Sequence, residues 1–408
     1  MPLGLIDKLT PSDKENLVDY ILWVGDMDFV QYPFRDADAL VLCMLCYFDM
    51  KMFFEDGRTE IPVRKLVPHL ECGSTKPQIT GPDGGSTDIA LAAARSKRFG
   101  ELTVRNHVDI LQAEPPLQFA AMTFHDGQGM DFLAYRGTDS SITGWKEDCM
   151  IAFTETDAQR MAAAYAHRVL PAAEHWILGG HSKGGNQVVY AALGLDDSEL
   201  ARVERIYMLD GPGFCPEIID SARMARIEPL ITCVIPEFDM IGRLFEPVIT
   251  DTRVIRSANP EGLGQHALAS WLVDHGNLSS GKLSERADRM MNVVNEWIAD
   301  MSMDERKIFV NELFDAFDRG GTTDLNEITA ERFAATLVEL NHTSQVTKKI
   351  FADLPKKLIS DLFKDVKPIP DLLKDVKSPF PDLAELIKGG KKAEKEKGME
   401  KEKEKAEG

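Results

Sequence analysis

His175–Leu193 reads HWILGGHSKGGNQVVYAAL. An apolar, β-branched and aromatic stretch runs into two glycines, then Gly180-His181-Ser182-Lys183-Gly184, then an alanine-rich helical pattern. This is a strand-to-helix turn with a serine at its apex. So tight a turn forces the apical residue into a strained backbone conformation, so the positions beside it must be nearly free of side chain. The same geometry lifts the serine hydroxyl above the sheet and aims the helix N-terminus at it. A bare G-x-S-x-G is a weak signal. Placed between a strand and a helix, with Gly185 as a further small residue, it marks Ser182 as a nucleophile, with the Lys183 backbone N–H as an oxyanion donor.

Outward from this turn the pattern alternates. Helix 158–170 precedes the strand at 175–180, and a helix from Gly184 precedes the strand RIYMLDG at 205–211. Then come ITCVIP at 231–236, a short helix over Met240–Phe245 and the strand at 252–257. Strands alternating with helices imply parallel βαβ units and a three-layer α/β sheet. Upstream, LTVRNHVDIL at 102–111 is a strand. QFAAMTF, the turn HDGQG and MDFLAYRG read as an antiparallel hairpin. Residues 14–55 read as helices, and the turn cluster Gly81–Ser86 leads into a helix over Asp88–Arg98. No Lys-Ser/Thr follows those glycines, so they form a plain loop and not a phosphate cradle.

The chain has 408 residues, 44% of them hydrophobic, enough for a substantial core. Its formal charge is −19, which argues against a nucleic-acid partner because phosphate neutralisation needs a basic surface. The longest apolar-rich stretch, Ala37–Phe48, contains Asp38 and falls well short of the roughly 20 residues of a spanning helix. The first sixteen residues lack the basic and apolar regions of a secretory signal. Six scattered cysteines sit mostly in apolar segments, and Cys43 and Cys46 have no second pair or nearby histidine to complete a metal site. Buried free thiols in a reducing compartment follow, hence a cytoplasmic protein.

A second oxyanion donor is expected from an earlier strand end. YRGTDSSITGWKED at 135–148 offers Gly137, where a ligand can approach the backbone, and Thr138, with its N–H and hydroxyl. Tyr135-Arg136-Gly137-Thr138, then Trp145 and Asp148, then Gly180–Gly185, resemble class 3 lipases of the α/β-hydrolase superfamily. A closer resemblance is to a bacterial lipase-like family, the Mbeg-like proteins, of poorly known function. It is carried by the LDY-x-x-W start at Leu17–Trp23, Asp38–Leu40, RGT…GWKED at 136–148, GHSKGGN at 180–186, DGPGF at 210–214 and QH-x-x-x-W at 265–271. It covers roughly residues 15–335 and implies an α/β-hydrolase fold and a serine hydrolase. That reaction is hydrolysis of a carboxylic ester, lipid or acyl, through an acyl-enzyme, with no metal or cofactor.

In that fold the order is Ser, then Asp, then His. Downstream of Ser182 stand His266, His275 and His342. His266, in the glycine-rich loop EGLGQHALASW after the strand at 252–257, is placed to act as the base. Asp239, after ITCVIPEF, occupies the chain position that the class 3 lipase resemblance implies for the acid. Asp210, one strand earlier, is the alternative, a placement resembling pancreatic-type lipases. Lys183 stands where class 3 lipases have leucine. Its side chain is expected at the helix flank, either as a cation favouring an anionic substrate or in a salt bridge with the acidic body. A second class of function stays open: a catalytically idle binding or scaffolding module, distinguished by His266 lying beyond hydrogen-bond reach of Ser182.

Residues 284–341 read as amphipathic helices. Asp318–Glu327 has Gly320 and Thr322 where a calcium loop needs oxygen ligands, so it is a helix–helix connection. The chain is therefore expected to comprise a domain over 1–345, with a helical lead-in 1–60, a core 100–283 and a helical extension 284–345. A tail follows at 346–408, with 16 Lys against 13 acidic residues. It holds a proline-interrupted repeat at 362–383 and a Lys/Glu run at 391–408, expected to be solvated and a candidate for peripheral contact with a membrane surface or partner.

Overall fold

The computed structural model describes residues 16–353 apart from 217, 218, 220, 246–248 and 250. The proline-interrupted repeat and the Lys/Glu run lie outside the described residues, as do the first fifteen. The chain divides into two compact units, residues 1–291 and 292–408.

Eight strands form the sheet of the first unit, in chain order: β1 Glu60–Pro62, β2 Thr103–Gln112, β3 Leu117–His125, β4 Asp131–Tyr135, β5 Trp176–His181, β6 Val203–Leu209, β7 Ile231–Pro236 and β8 Thr252–Ile255. The pairings from β1 to β4 are antiparallel and those from β4 to β8 parallel. The β3–β4 hairpin is closed by Asp126, whose Oδ1 accepts from Gln128 N–H (2.7 Å) and Met130 N–H (2.9 Å). Thereafter helices carry the chain from β4 to β5, from β5 to β6 and from β6 to β7, and these crossovers keep the strands parallel.

Strand periodicity sorts the core into two layers. Met122, Phe124, Phe132, Ala134, Tyr207 and Leu209 pack on one face, against helices Leu17–Val24, Asp36–Leu45 and Ser86–Arg95. The residues between them in sequence, Phe119, Ala121, Leu133, Tyr135, Ile206 and Met208, pack on the other against helices Asp157–Val169 and Lys183–Gly194. The three-layer α/β architecture expected from the alternation is the one observed.

The N-terminal helices are pinned by a buried ion pair. Arg98 donates to both oxygens of Asp38 (2.8 and 2.6 Å), and Tyr20 Oη donates to Asp38 Oδ1 (2.9 Å). Both charged side chains are fully buried. This explains the Leu-Asp-Tyr and Asp-Ala-Leu segments: they anchor the helix that leads into Tyr47.

Two local expectations are corrected. Met240–Phe245 is not a helix but a turn, because Asp239 Oδ1 captures the N–H groups of Ile241 (3.0 Å) and Gly242 (2.8 Å) and Phe245 has a positive φ of 66°. The helix expected over Asp88–Arg98 runs Ser86–Arg95 and breaks at Ser96, whose side chain caps Phe99 N–H (3.0 Å). Residues 142–150, to which the sequence assigned no element, form a helix opened by Ser141, whose side chain accepts from Gly144 N–H (3.1 Å).

In the second unit, helices Met303–Arg319, Ala330–Leu340 and Gln345–Asp353 share a small core of Ala316, Leu337 and Leu340, with Phe351 against it. The 318–327 segment connects two of these helices, and Asp324 caps its last turn at Asn326 N–H (2.8 Å). No helix among the described residues is long and apolar enough to cross a membrane.

Candidate functional site

Ser182 sits between β5 and helix Lys183–Gly194 with φ 59° and ψ −131°, a conformation that costs a non-glycine residue about 1–3 kcal/mol. Its neighbours hold it there. Ser182 N–H donates to Leu209 O at the end of β6 (2.9 Å), and Gly185 N–H returns to Ser182 O (2.8 Å). A Cβ at Gly180 would stand 2.0 Å from Gly184 O, and one at Gly184 would stand 2.3 Å from Tyr135 O. The flanking glycines are therefore required by close approach of backbone to backbone, as the motif predicted.

Gly137, at the end of β4, lies directly beside the serine. A Cβ there would come within 2.8 Å of Ser182 Cβ and 2.6 Å of His181 O. Thr138 follows. Its hydroxyl donates to Asp148 Oδ2, which leaves its backbone N–H, without an acceptor among the described residues, as the donor free for an incoming oxygen. The Lys183 N–H opens its helix and is one of the first-turn donors with no intrahelical acceptor. The structure thus places Gly137, which precedes Thr138, and the helix start at Lys183 beside the serine.

The Lys183 side chain points away. Its ammonium is 2% exposed and donates to Gln118 O (3.1 Å) and Glu147 Oε2 (3.2 Å). Glu147 also accepts from Gln118 N–H (3.0 Å) and Ala158 N–H (2.8 Å). Of the two roles expected for this lysine, the salt bridge is the one present. It ties β3 to helices Ile142–Met150 and Asp157–Val169.

His266 ends the short turn Leu263–His266. Its Nδ1 lies 2.6 Å from Asp210 Oδ2, at the end of β6. A carboxylate only accepts, so Nδ1 carries the hydrogen and Nε2 keeps a lone pair. Burial pushes the imidazole down to about 4, so it is neutral at pH 7, the form a base requires. Burial likewise raises Asp210 to about 6. Asp239, preferred from its chain position, is not the histidine's partner. Strands β6 and β7 end side by side, and Asp210 is the carboxylate that faces His266. Asp239 turns one oxygen onto the N–H groups of Ile241 and Gly242 and lies behind Asp210. Among the described residues no hydrogen bond joins Ser182 Oγ to His266.

A second layer holds the histidine loop. Gln265 accepts from Phe238 N–H (2.7 Å) and donates to Asn259 O (2.9 Å), and Trp271 Nε1 donates to Gln265 O (2.8 Å). His181 is buried, its ring centroid 4.5 Å from that of His266. Its Nε2 lies 2.8 Å from His266 O, which only accepts, so Nδ1 accepts from Tyr47 Oη at 2.8 Å. Burial and the neighbouring His266 keep His181 well below the usual histidine range and neutral. Asn186 donates to Gly213 O (2.8 Å) and accepts from Gln159 (2.8 Å), pinning the DGPG loop that begins with Asp210.

Sequence reasoning passed over Tyr47, His181 and Glu147. His181 and Glu147 lie inside the GHSKGGN and GWKED segments, and only their packing gives them roles. Tyr47 stands 134 positions from its partner, and no local signal reaches that far. Among the described residues no group of three His, Cys, Asp or Glu side chains is arranged to hold a metal ion.

An α/β protein with a strained serine at a strand-to-helix turn, beside a histidine paired to a buried aspartate, is the class defined by this fold and site. The chain belongs to the Mbeg1-like family, which matches residues 93–315. No curated protein matches it.

Proposed function

We propose that the protein is a serine hydrolase of the α/β-hydrolase type that cleaves a neutral carboxylic ester, lipid or acyl, through an acyl-enzyme. Ser182 Oγ attacks the ester carbonyl while His266 Nε2 takes the hydroxyl proton. The N–H groups of Thr138 and Lys183 receive the oxyanion, and the proton passes from His266 to the departing alkoxide. Water then repeats the sequence and frees the acid. Asp210 holds the imidazole tautomer and stabilises its cation. The observation carrying this reading is the 2.6 Å contact between His266 Nδ1 and Asp210 Oδ2, formed beside a serine held at φ 59°. Sequestration of the Lys183 ammonium by Glu147 favours a neutral head group over an anionic one. Six cysteines outside any disulfide fit a reducing, cytoplasmic setting, with the C-terminal tail a candidate for peripheral contacts.

One observation favours a second reading, an idle binding module: no hydrogen bond closes between Ser182 and His266 among the described residues. Apo catalytic hydrogen bonds are commonly loose and tighten on substrate binding. Labelling of the full chain with a fluorophosphonate, beside Ser182→Ala and His266→Ala, separates the two. An adduct on Ser182 that both substitutions abolish supports the hydrolase. A folded wild-type chain that stays unlabelled supports the idle module.

A further inference from the structure

Asp210 and Asp239 end adjacent parallel strands, and both are fully buried. One backbone group serves both: Gly242 N–H lies 2.9 Å from Asp210 Oδ1 and 2.8 Å from Asp239 Oδ1. Ile241 N–H adds a second donor to Asp239 Oδ1, and His266 takes Asp210 Oδ2. Asp239 Oδ2 is buried with no donor from any other described residue. That oxygen is satisfied only by carrying a hydrogen itself, and Asp210 is the acceptor beside it. The groups acting on this pair agree. His266 is neutral, the Cys233 thiol on β7 is raised to about 12 by burial, and Asp148 adds only further negative charge near His266. Two ionised carboxylates in one buried site without a cation are not tolerated, so one proton stays with the pair.

We propose that Asp239 is a neutral carboxylic acid that donates its proton in a hydrogen bond to Asp210, a positioning residue that keeps Asp210 anionic and turned toward His266. Its part in catalysis rests on the hydrolase reading; the shared proton does not. Asparagine reproduces the neutral acid, because its carbonyl accepts from Ile241 and Gly242 and its amide donates to Asp210. Alanine removes the donor, and Asp210 then titrates at higher pH.

The test measures fluorophosphonate labelling of Ser182 against pH in the full chain for wild type, Asp239→Asn, Asp239→Ala and Asp210→Asn. Infrared difference spectra record a protonated carboxyl at neutral pH. Asp239→Asn is expected to label within about threefold of wild type with its acidic limb in place, whereas Asp239→Ala labels about tenfold or more slower, with that limb moved to higher pH. The protonated-carboxyl band disappears in Asp239→Asn. A merely structural role for Asp239 leaves the limb where it is. Loss of labelling in Asp239→Asn as deep as in Asp210→Asn overturns the proposal, as does absence of the band in wild type. If no form of the protein labels, the hydrolase reading has failed, and the band with its loss in Asp239→Asn still decides whether the proton is shared.

Discussion

Replacing Lys183 by methionine keeps side-chain length and the backbone N–H while deleting the charge. The ammonium lies 3.2 Å from Glu147 Oε2 and 3.1 Å from Gln118 O, with both charged side chains at most 2% exposed. Its loss leaves the Gln118 carbonyl without that donor, at a cost of about 1 kcal/mol. It also leaves Glu147 as a buried charge without its cation. Breaking such a pair from one side costs about 3–5 kcal/mol, and the two N–H groups still bound to Glu147 place this case at the lower end. The expected total is about 3–4 kcal/mol, or about 6–8 °C in melting temperature at roughly 2 °C per kcal/mol for a unit of this size. Lys183→Met/Glu147→Leu removes both charges and recovers about 2 kcal/mol or more, because an apolar pair has no stranded ion. Thermal melts of the full chain give these values. Fluorophosphonate labelling well below the transition shows whether the site survives, with a loss of less than about tenfold expected because the proposed oxyanion donor at Lys183 is its backbone N–H. An unshifted melt with abolished labelling refutes the reasoning, since it would place the ammonium in the reaction and not in the core.

Three further outcomes follow from the geometry. Tyr47→Phe strands His181 Nδ1 in the core at about 1–3 kcal/mol, and amide hydrogen exchange over 262–271 should quicken as the hold on His266 O loosens. Gly137→Ala places a Cβ 2.6 Å from His181 O and 2.8 Å from Ser182 Cβ, so a loss of about 3 kcal/mol in denaturant titration and failure to label are expected together. For Asp210 the folded pKa, about 6, exceeds the value near 3.9 of an exposed aspartate, so the fold binds the proton more tightly than the unfolded chain. Its effect on stability is therefore absent below about pH 4, and stability falls as pH rises from about 4 to about 6. Asp210→Asn should stabilise the protein at pH 7 by about 3 kcal/mol while slowing labelling at least about hundredfold. Wild-type labelling should fall as pH drops through about 6, where the pair takes up a proton. A melt of Asp210→Asn no higher than wild type at pH 7 contradicts this account.

What the sequence determined by itself was whatever short-range rules govern. Apolar runs of strand length, helical periodicity and turn residues set the central strands and helices within a few positions of where they lie. The glycines beside Ser182 announced the strained turn because nothing larger fits between Gly180, Gly184 and Tyr135. The strand end at Gly137 and the His266 loop were legible for the same reason, each a glycine-marked segment at the end of a strand. The turn at 240–245 was misread because Asp239's competition for local N–H groups overrode helix propensity. Tertiary structure decided the rest, because it concerns distances between chain-remote groups. Asp210 and Asp239 each follow a strand and chain position favoured Asp239, yet the packing of β6 against β7 places Asp210 on His266. Whether Lys183 faces substrate or core depends on a glutamate 36 positions earlier, on a helix that the sequence did not mark. Tyr47, just past the helix that the buried Arg98–Asp38 pair anchors, joins the site through His181. Local sterics are written along the chain; the choice among buried charges is made by which partner lies within about 3 Å once the layers close, since an unpaired charge there costs several kcal/mol.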